Sequence, residues 1–221
     1  MAGPNGVRRL RCTVQRLPAV VAEVRALASS HGVGLVWRLD EESIDLEPAL
    51  CALGIQPDVE MAVLLQEGEI PNPVIPGLEV LDGLASLAAY RVHHSTVAAG
   101  FLNLREAEAG GDIVERYRHV AGRSDSVLLT ARVDGEYAGG GGARLLEEGA
   151  RLGGGSVKPQ FRGRGIYRAL VAARVNAARQ RGLRAVATDA RPTSKPILLQ
   201  LGFRQVGRWW SYRDLEVPGP A

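Results

Sequence analysis

One short stretch constrains the fold of this chain more than any other: residues 160–167, which read Q-F-R-G-R-G-I-Y. A strand-like run precedes this stretch, and the apolar segment with helical spacing that follows it predicts a helix from Gly163 to about Arg181. A turn of this kind directs successive backbone N–H groups outward at a helix start, where the helix dipole favours an anion. Gly163 and Gly165 lack side chains and so let an anion approach the backbone. Arg162 and Arg164 raise the local positive potential, and a diphosphate fits such a site.

The eight residues alone have a second interpretation, a glycine-eased helix entry with two solvated arginines. Their spacing differs from G-x-G-x-x-G and from G-x-x-x-x-G-K-[ST], which argues against a Rossmann dinucleotide site and against a P-loop.

Composition narrows the classes of partner. The formal net charge is only +3 with both signs interleaved, so no nucleic-acid-binding face is indicated. Cys12 and Cys51 lack metal-ligand spacing, so neither a metal site nor a disulfide framework is expected. The chain has no apolar run of about 18 residues and no signal-peptide core, which predicts a cytoplasmic protein without a membrane partner. The excess of Arg over Lys, with abundant Ala and Gly, indicates a GC-rich bacterial genome.

A proline-rich segment at residues 69–77, E-I-P-N-P-V-I-P-G, predicts an extended connector. It divides the chain into an amino-terminal segment, residues 1–68, and a carboxyl-terminal domain, residues 78–217. Helical spacing predicts a helix over Leu17 to Ser30. The dipeptide Asp134-Gly135 between strand-like runs predicts a β-hairpin.

The two halves of the chain repeat one another. Helical and strand-like stretches align at a constant offset, and the alignment resumes after a two-residue difference in a loop. The matched pairs include Ala22 with Ala172, Gly32 with Gly182, Pro48 with Pro196, and Gly54 with Gly202. This pattern predicts a duplicated helix–strand–helix–strand unit, with convergence in an alanine-rich chain as the alternative.

The stretch V-K-P-Q-F-R-G-R-G-I-Y-R-A-L-V resembles the coenzyme-A-binding motif Q/R-x-x-G-x-G/A of the GNAT N-acetyltransferase superfamily, with Gln160, Gly163 and Gly165 at its defining positions. Downstream, P-I-L-L-Q-L-G-F resembles the last helix of that family and its Leu-Gly-Phe ending. The resemblance covers Leu78 to Leu215. It implies an α/β (α+β) fold with a mixed, largely antiparallel sheet flanked by helices.

The amino-terminal segment resembles only the later half of such a domain. It carries R-L-R-C-T-V-Q-R-L-P before its helix in place of Q-x-x-G-x-G. We therefore expect a smaller, non-catalytic α/β half-domain.

The resemblance implies acetyl-CoA or another acyl-CoA as cosubstrate, with no metal. Backbone amides of residues 161–166 would hold the diphosphate, and the strand ending at Val157 would splay from its neighbour and pair with the pantetheine arm. A backbone N–H in that slot would polarise the thioester carbonyl. The residues expected at the cosubstrate site are Ser156, Val157, Gln160, Phe161, Arg162, Gly163, Arg164, Gly165, Ile166, Tyr167 and Ser194. Ser194 has an alternative role as a helix N-cap.

The usual catalytic side chains are missing from their expected positions. Leu198 stands where many members of the family carry the Tyr that protonates the departing thiolate. Tyr167 and Tyr212 are the nearest substitutes, although a thiol pKa of about 8.5 makes the thiolate a tolerable leaving group without an acid. For the general base, Glu148 and Asp189 are the carboxylate candidates.

Three histidines, His93, His94 and His119, fall where the family forms its acceptor side. Glycines at 153–155 would leave the floor of that acceptor pocket without side chains.

The predicted function is therefore acyl-CoA-dependent N-acyl transfer, most plausibly of acetyl to a primary amine by direct attack in a ternary complex. Two alternatives stay open: a non-catalytic acyl-CoA-binding module, and an interaction protein that descends from an acyltransferase. The expected partners are an acyl-CoA and an amine, and a homodimer also stays open.

Overall fold

The computed structural model describes residues 5–102 and 113–217. Parts of both predicted segments, residues 1–4 and 103–112, lie outside the described residues. The helices and strands follow in this order: β1 Asn5–Val7, α1 Leu17–Ser30, β2 Leu35–Asp40, α2 Glu47–Ala52, β3 Ile55–Gln66, β4 Leu78–Asp82, α3 Leu87–Gly100, α4 Ile113–Ala121, β5 Ser126–Val133, β6 Glu136–Leu145, β7 Gly149–Val157, α5 Ile166–Arg179, β8 Ala185–Ala190, α6 Lys195–Gln200 and β9 Arg204–Asp214.

The chain divides into two compact units, each built from separated segments. The first unit comprises residues 1–63, 190–195 and 205–221, and the second comprises residues 64–189 and 196–204. The carboxyl-terminal strand thus groups with the amino-terminal residues and not with the rest of the predicted 78–217 domain. The functional division at residues 69–77 stays a prediction.

The first unit is a small α/β structure. Its strands lie in the order β1-β2-β9-β3, with β1 parallel and β9 antiparallel to β2. Its core includes the fully buried side chains of Trp37, Leu50 and Tyr212. Buried Asp214 accepts hydrogen bonds from Trp37 Nε1 at 3.0 Å and from the Arg25 guanidinium, so the carboxylate inside this unit is paired.

The second unit carries a mixed, mainly antiparallel sheet in the order β8-β7-β6-β5-β4. The pairs from β4 to β7 are antiparallel, whereas β7 and β8 run parallel. Helices α3 and α5 both pack on this sheet. The predicted fold class, a mixed sheet flanked by helices, is confirmed.

A run of glycines in β6 brings these two helices close to the sheet. A Cβ at Gly140 would lie 2.9 Å from Val97 on α3, whereas a Cβ at Gly141 would lie 2.7 Å from Arg174 on α5. Because successive strand residues point to opposite faces, the two helices cover opposite faces of the sheet.

Several predictions from the sequence agree with the described elements. Helix α1 covers Leu17–Ser30 as predicted, and the β5–β6 hairpin turns at Asp134-Gly135. The successions α1-β2-α2-β3 and α5-β8-α6-β9 confirm the predicted order of the repeat. Helix α5 begins at Ile166 and not at the predicted Gly163, because Gly163 and Gly165 both have positive φ, which is incompatible with an α-helix.

Candidate functional site

In the second unit, strands β7 and β8 are paired at one end only. Their ladder runs from Gly149 opposite Ala185 to Leu152 opposite Thr188. Beyond that pair, β7 continues to Val157 while the ladder with β8 does not. The β7 edge over residues 153–157 is thus free to pair with an extended ligand, and this geometry agrees with the predicted splay.

A β-bulge lies at the start of the splayed part of β7. Gly142 pairs with Gly153 and Gly140 pairs with Ser156, so Gly154 and Gly155 together stand opposite one residue of β6. Gly154 has φ +61°, a conformation that glycine adopts without strain. No atom beyond the chain neighbours lies within 4 Å of a Cβ built at Gly153 or Gly154, so the bulge faces open space.

The turn after β7 presents backbone amides at the start of α5. A 3-10 turn over Pro159–Phe161 leads to Gly163 at φ +76° and to Gly165 at φ +79°, and Gly165 is the N-cap of the helix. Within the part of the chain that the structure describes, the amides of residues 163–166 donate to no carbonyl or side chain. A Cβ built at Gly163 would meet open space, so an anion has access to these amides.

Three side chains anchor this turn in the core of the second unit. Val157, Phe161 and Ile166 are each less than a tenth exposed and pack together with Leu170. Their predicted contribution to cosubstrate binding is therefore restricted to their backbone groups. The burial of the side chains fixes the direction of the amides in advance of binding, which lowers the entropic cost of binding.

Arg162 makes two hydrogen bonds within the protein, and its contact with a ligand phosphate stays a prediction. Its Nε donates to the Val157 carbonyl at 3.1 Å and its Nη2 donates to the Gly100 carbonyl at 3.0 Å. The guanidinium therefore ties the turn to the end of α3 through two of its five N–H donors. Ser156 is similar, because its buried hydroxyl donates to the Val97 carbonyl at 2.9 Å.

The other two polar side chains of the turn are exposed. Arg164 lies 3.6 Å from the carboxylate of Asp134 and 5.7 Å from the centre of the Phe161 ring. Gln160 lies in the 3-10 turn with its side chain exposed. Arg164 is thus the more available of the two arginines for a ligand phosphate, since a surface ion pair at this distance is weak.

The three candidate catalytic side chains lie at different distances from the bulge. Glu148 is exposed in the β6–β7 turn, five residues and about 16 Å of extended strand before Gly153. Asp189 lies one residue after the last β7–β8 pair, but its carboxylate accepts a hydrogen bond from Arg151. Tyr167 is nearest, because its ring atom Cε2 lies 3.1 Å from a Cβ built at Gly155.

The remaining sequence candidates lie in more closed environments. Leu198 is 1% exposed, as expected of an apolar residue packed in a helix. Tyr212 is buried in the core of the first unit, where desolvation raises its pKa. Ser194 precedes α6, and its hydroxyl donates to the Arg191 carbonyl at 3.3 Å. Its contact with a pantetheine stays a prediction.

The histidines of α3 are structural in this arrangement. His93 is 3% exposed and its Nδ1 lies 3.0 Å from the Thr130 hydroxyl. Burial lowers the pKa of His93 to about 3 and that of His94 to about 4, so both rings are neutral near pH 7. His119, on α4, lies 3.4 Å from the Arg123 guanidinium.

Sequence reasoning missed one residue near the bulge, Arg174 on α5. Its side chain is 2% exposed, and its guanidinium donates to the carbonyls of Gly142 and Gly153, each at 3.2 Å. In the sequence Arg174 stands four residues after Leu170 and three after Val171, so the helical period places this charged residue on the apolar face of α5. The glycines of β6 and β7 were the available signal, because they make room for a large side chain underneath.

Residues 5–102 and 113–217 show neither a metal-ligand cluster nor a membrane-spanning helix. They contain no group of three or more His, Cys, Asp or Glu side chains arranged to hold a metal ion. None of their helices combines the length and the apolar character that crossing a membrane requires.

Comparison with known proteins agrees with this geometry. Residues 98–203 match the model of the Acetyltransferase (GNAT) family. A search of curated proteins found no match by sequence. Similar solved structures include a GCN5-related N-acetyltransferase from Kribbella flavida, with a TM-score of 0.69 and 14% identity over 97% of this chain and 79% of that one.

Two other similar structures cover most of this chain. A GCN5-related N-acetyltransferase from Sphaerobacter thermophilus has a TM-score of 0.64 and 19% identity over 94% of this chain and 68% of that one. A tandem GNAT protein from the clavulanic acid biosynthesis pathway has a TM-score of 0.63 and 18% identity over 92% and 70%. At these identities the structures show a shared fold, whereas the family match is carried by the sequence. Residues 98–203 thus match the GNAT acetyltransferase family, and the chain has the fold of these GNAT structures.

Proposed function

We propose that this protein is an acyl-CoA-dependent N-acyltransferase that transfers acetyl from acetyl-CoA to a primary amine. The observation that carries the proposal is the set of backbone amides at residues 163–166, which donate to no group of the described residues, beside a Gly163 whose built Cβ meets open space. Such a set binds a diphosphate through hydrogen bonds and the helix dipole together. The family match of residues 98–203 supports the same reaction class.

The splayed edge of β7 suits the remainder of the cosubstrate. A pantetheine arm contains amide groups, and an extended amide-bearing ligand can hydrogen-bond to an unpaired strand edge as an added strand does. Residues 153–157 supply that edge between the bulge and the turn. The order bulge, edge, turn along the chain therefore matches the order thioester, pantetheine, diphosphate along acyl-CoA.

In the proposed reaction the amine nitrogen attacks the thioester carbonyl carbon and forms the new C–N bond. The carbonyl electron pair moves to oxygen and returns as the C–S bond breaks, so CoA leaves as a thiolate. The nitrogen loses its proton to solvent or to a base, and the thiolate takes up a proton when it leaves. An N–H at the bulge would stabilise the charge on oxygen, and binding both reactants together supplies proximity.

The first unit offers no equivalent anion site before its own helix. The amides of Arg16 and Leu17, at the start of α1, donate to the Thr13 carbonyl at 3.0 and 3.1 Å. The N-cap is Arg16 in the helical region, without a glycine turn. We therefore propose that the first unit is a non-catalytic companion, as the sequence predicted.

The test uses the purified full-length chain in two steps. CoA and acetyl-CoA should each raise the melting temperature, because a ligand that binds only the native state stabilises it. Acetyl-CoA with a panel of primary amines should then release free thiol, followed with a thiol reagent. Binding without thiol release on every amine would favour a non-catalytic acyl-CoA-binding module, and the absence of any thermal shift would favour an interaction protein.

A further inference from the structure

Arg174 is a buried cation that the proposed reaction does not yet use. Its Nε donates to the Leu170 carbonyl at 2.8 Å, and its Nη1 donates to Gly142 and Gly153. No carboxylate of the described residues forms an ion pair with it. Desolvation lowers its pKa to about 10, so the side chain is still a cation at neutral pH. Because a buried charge normally needs an opposite charge, this placement requires a reason.

The two contacted carbonyls belong to the glycine-rich parts of β6 and β7. A Cβ at Gly141 would lie 2.7 Å from Nη1 of Arg174, and a Cβ at Gly155 would lie 3.1 Å from Nη2. Any side chain on these faces would displace the guanidinium. Gly141 and Gly155 therefore make room for the guanidinium of Arg174, whereas Gly153 and Gly154 leave the bulge accessible.

The contact with Gly153 also acts on the next residue. The carbonyl of Gly153 and the N–H of Gly154 belong to one peptide group, and in a trans peptide they point in opposite directions. A cation that donates to the carbonyl polarises the whole group, because hydrogen bonds in series strengthen one another. The N–H of Gly154 thus becomes a stronger donor at the bulge, where a Cβ built on this residue would meet open space.

We propose, on the basis of the proposed function, that Arg174 is a positioning residue. It orients the Gly153–Gly154 peptide and polarises the N–H of that peptide toward the thioester carbonyl oxygen. During amine attack that oxygen gains negative charge. The Gly154 N–H stabilises this charge, and Arg174 strengthens the N–H by donating to the Gly153 carbonyl of the same peptide group. When the C–S bond breaks, the carbonyl re-forms and the charge leaves with the CoA thiolate. Arg174 itself touches neither reactant.

The experiment compares three variants in the full-length chain. Arg174→Met removes the charge with little change in volume, Arg174→Lys keeps a charge that cannot reach both carbonyls, and Arg179→Met is the matched control. Arg179 lies five residues later on the same helix, and its guanidinium donates to the Gly68 carbonyl at 2.9 Å instead of to β6 or β7. For Arg174→Met we expect kcat to fall about 10- to 100-fold, a fraction of the loss of a whole oxyanion donor. The Kd for CoA, which has no thioester carbonyl, should be unchanged.

A spectroscopic measurement separates polarisation from a structural role. In the wild type, infrared spectra of bound acetyl-CoA labelled with ¹³C at the carbonyl should show the band shifted to lower frequency than in water. Arg174→Met should return the band toward its value in water, Arg174→Lys should give an intermediate position, and Arg179→Met should match the wild type.

The outcomes distinguish the two proposals. A wild type that neither binds CoA nor releases thiol overturns the proposed function and this inference with it. A wild type that turns over, with Arg174→Met equal to it in kcat and in carbonyl band, overturns this inference alone. If Arg174→Met does not fold, Arg174→Lys decides, since wild-type values of both quantities in that variant would be equally contradictory.

Discussion

The substitution Gly163→Asp tests the anion site most directly. Gly163 has φ +76°, and a Cβ built there meets no other atom within 4 Å. The new side chain therefore extends into open space within the same turn as the amides of residues 163–166. A carboxylate there would take the hydrogen bonds and the dipole interaction proposed for the diphosphate, and it would repel the ligand as well.

The size of the effect follows from the charges. Two unit charges about 5 Å apart at an effective dielectric constant of about 20 repel by about 3 kcal/mol. That energy corresponds to a Kd for CoA about 150-fold weaker than in the wild type. Isothermal titration calorimetry with CoA measures the change, and the effect should shrink at high salt because exposed charges are screened.

Two control variants separate charge from backbone strain. Gly163→Asn has the same shape and the same positive φ without the charge, so it should weaken binding much less. Gly182→Asp introduces the same residue after the other end of α5, where φ is +77° and the space is also open. Both aspartates should cost about 1–2 kcal/mol of stability through the left-handed conformation. A Gly163→Asp variant that binds CoA as tightly as Gly182→Asp would refute the anion site.

Three further predictions concern catalysis, pH and packing. Tyr167→Phe should lower kcat without changing the Kd for CoA if the hydroxyl protonates the leaving thiolate, and equal pH–rate profiles would remove it from the reaction. Because His93 has a pKa of about 3 when folded against 6.5 in its reference state, its contribution to stability is complete above about pH 6.5 and is lost as pH falls toward 3. Urea denaturation should show a slope of about 1.4 kcal/mol per pH unit for this one proton, reduced in His93→Gln. Gly100→Ala should cost about 1–3 kcal/mol, because its Cβ would lie 2.5 Å from the Ser156 hydroxyl, whereas Gly122→Ala, in open space, should cost little.

Local features of the fold were predictable from the sequence because they depend on near neighbours. The helical spacing of Leu17–Ser30 and the turn chemistry of Asp134-Gly135 each specify a local conformation whatever lies beyond. The glycine turn at Gly163 and Gly165 was predictable for the same reason, because glycine is the residue that adopts positive φ without strain. The predicted start of α5 at Gly163 is three residues too early, because Gly163 and Gly165 have positive φ and therefore lie outside the helix.

The roles of the arginines were not predictable, because they depend on tertiary contacts. Arg162 and Arg164 are indistinguishable in the motif, yet the first donates to carbonyls of α3 and β7 while the second forms an ion pair with Asp134. Arg174 lies on the apolar face of α5 in the sequence pattern, but only the packing of α5 against the glycines of β6 and β7 shows which carbonyls its guanidinium contacts.

The grouping of the last strand was hidden for a similar reason. The repeat predicted the order of the helices and strands along the chain correctly. That order does not determine which strands pair with one another in the sheet. Strand β9 pairs with β2 from Val36 opposite Arg213 to Asp40 opposite Trp209, which places the end of the chain in the first unit.

The two helix starts of the repeat give protein engineers a comparison within one polypeptide. At the start of α1 the amides of residues 16 and 17 donate to the Thr13 carbonyl. At the start of α5 the amides of residues 163–166 donate to no group of the described residues and can bind a ligand. Grafting residues 160–166 in front of α1 would test whether this loop alone binds CoA. The alternative is that binding also requires a strand edge left unpaired by its neighbour, as β7 is beyond Leu152.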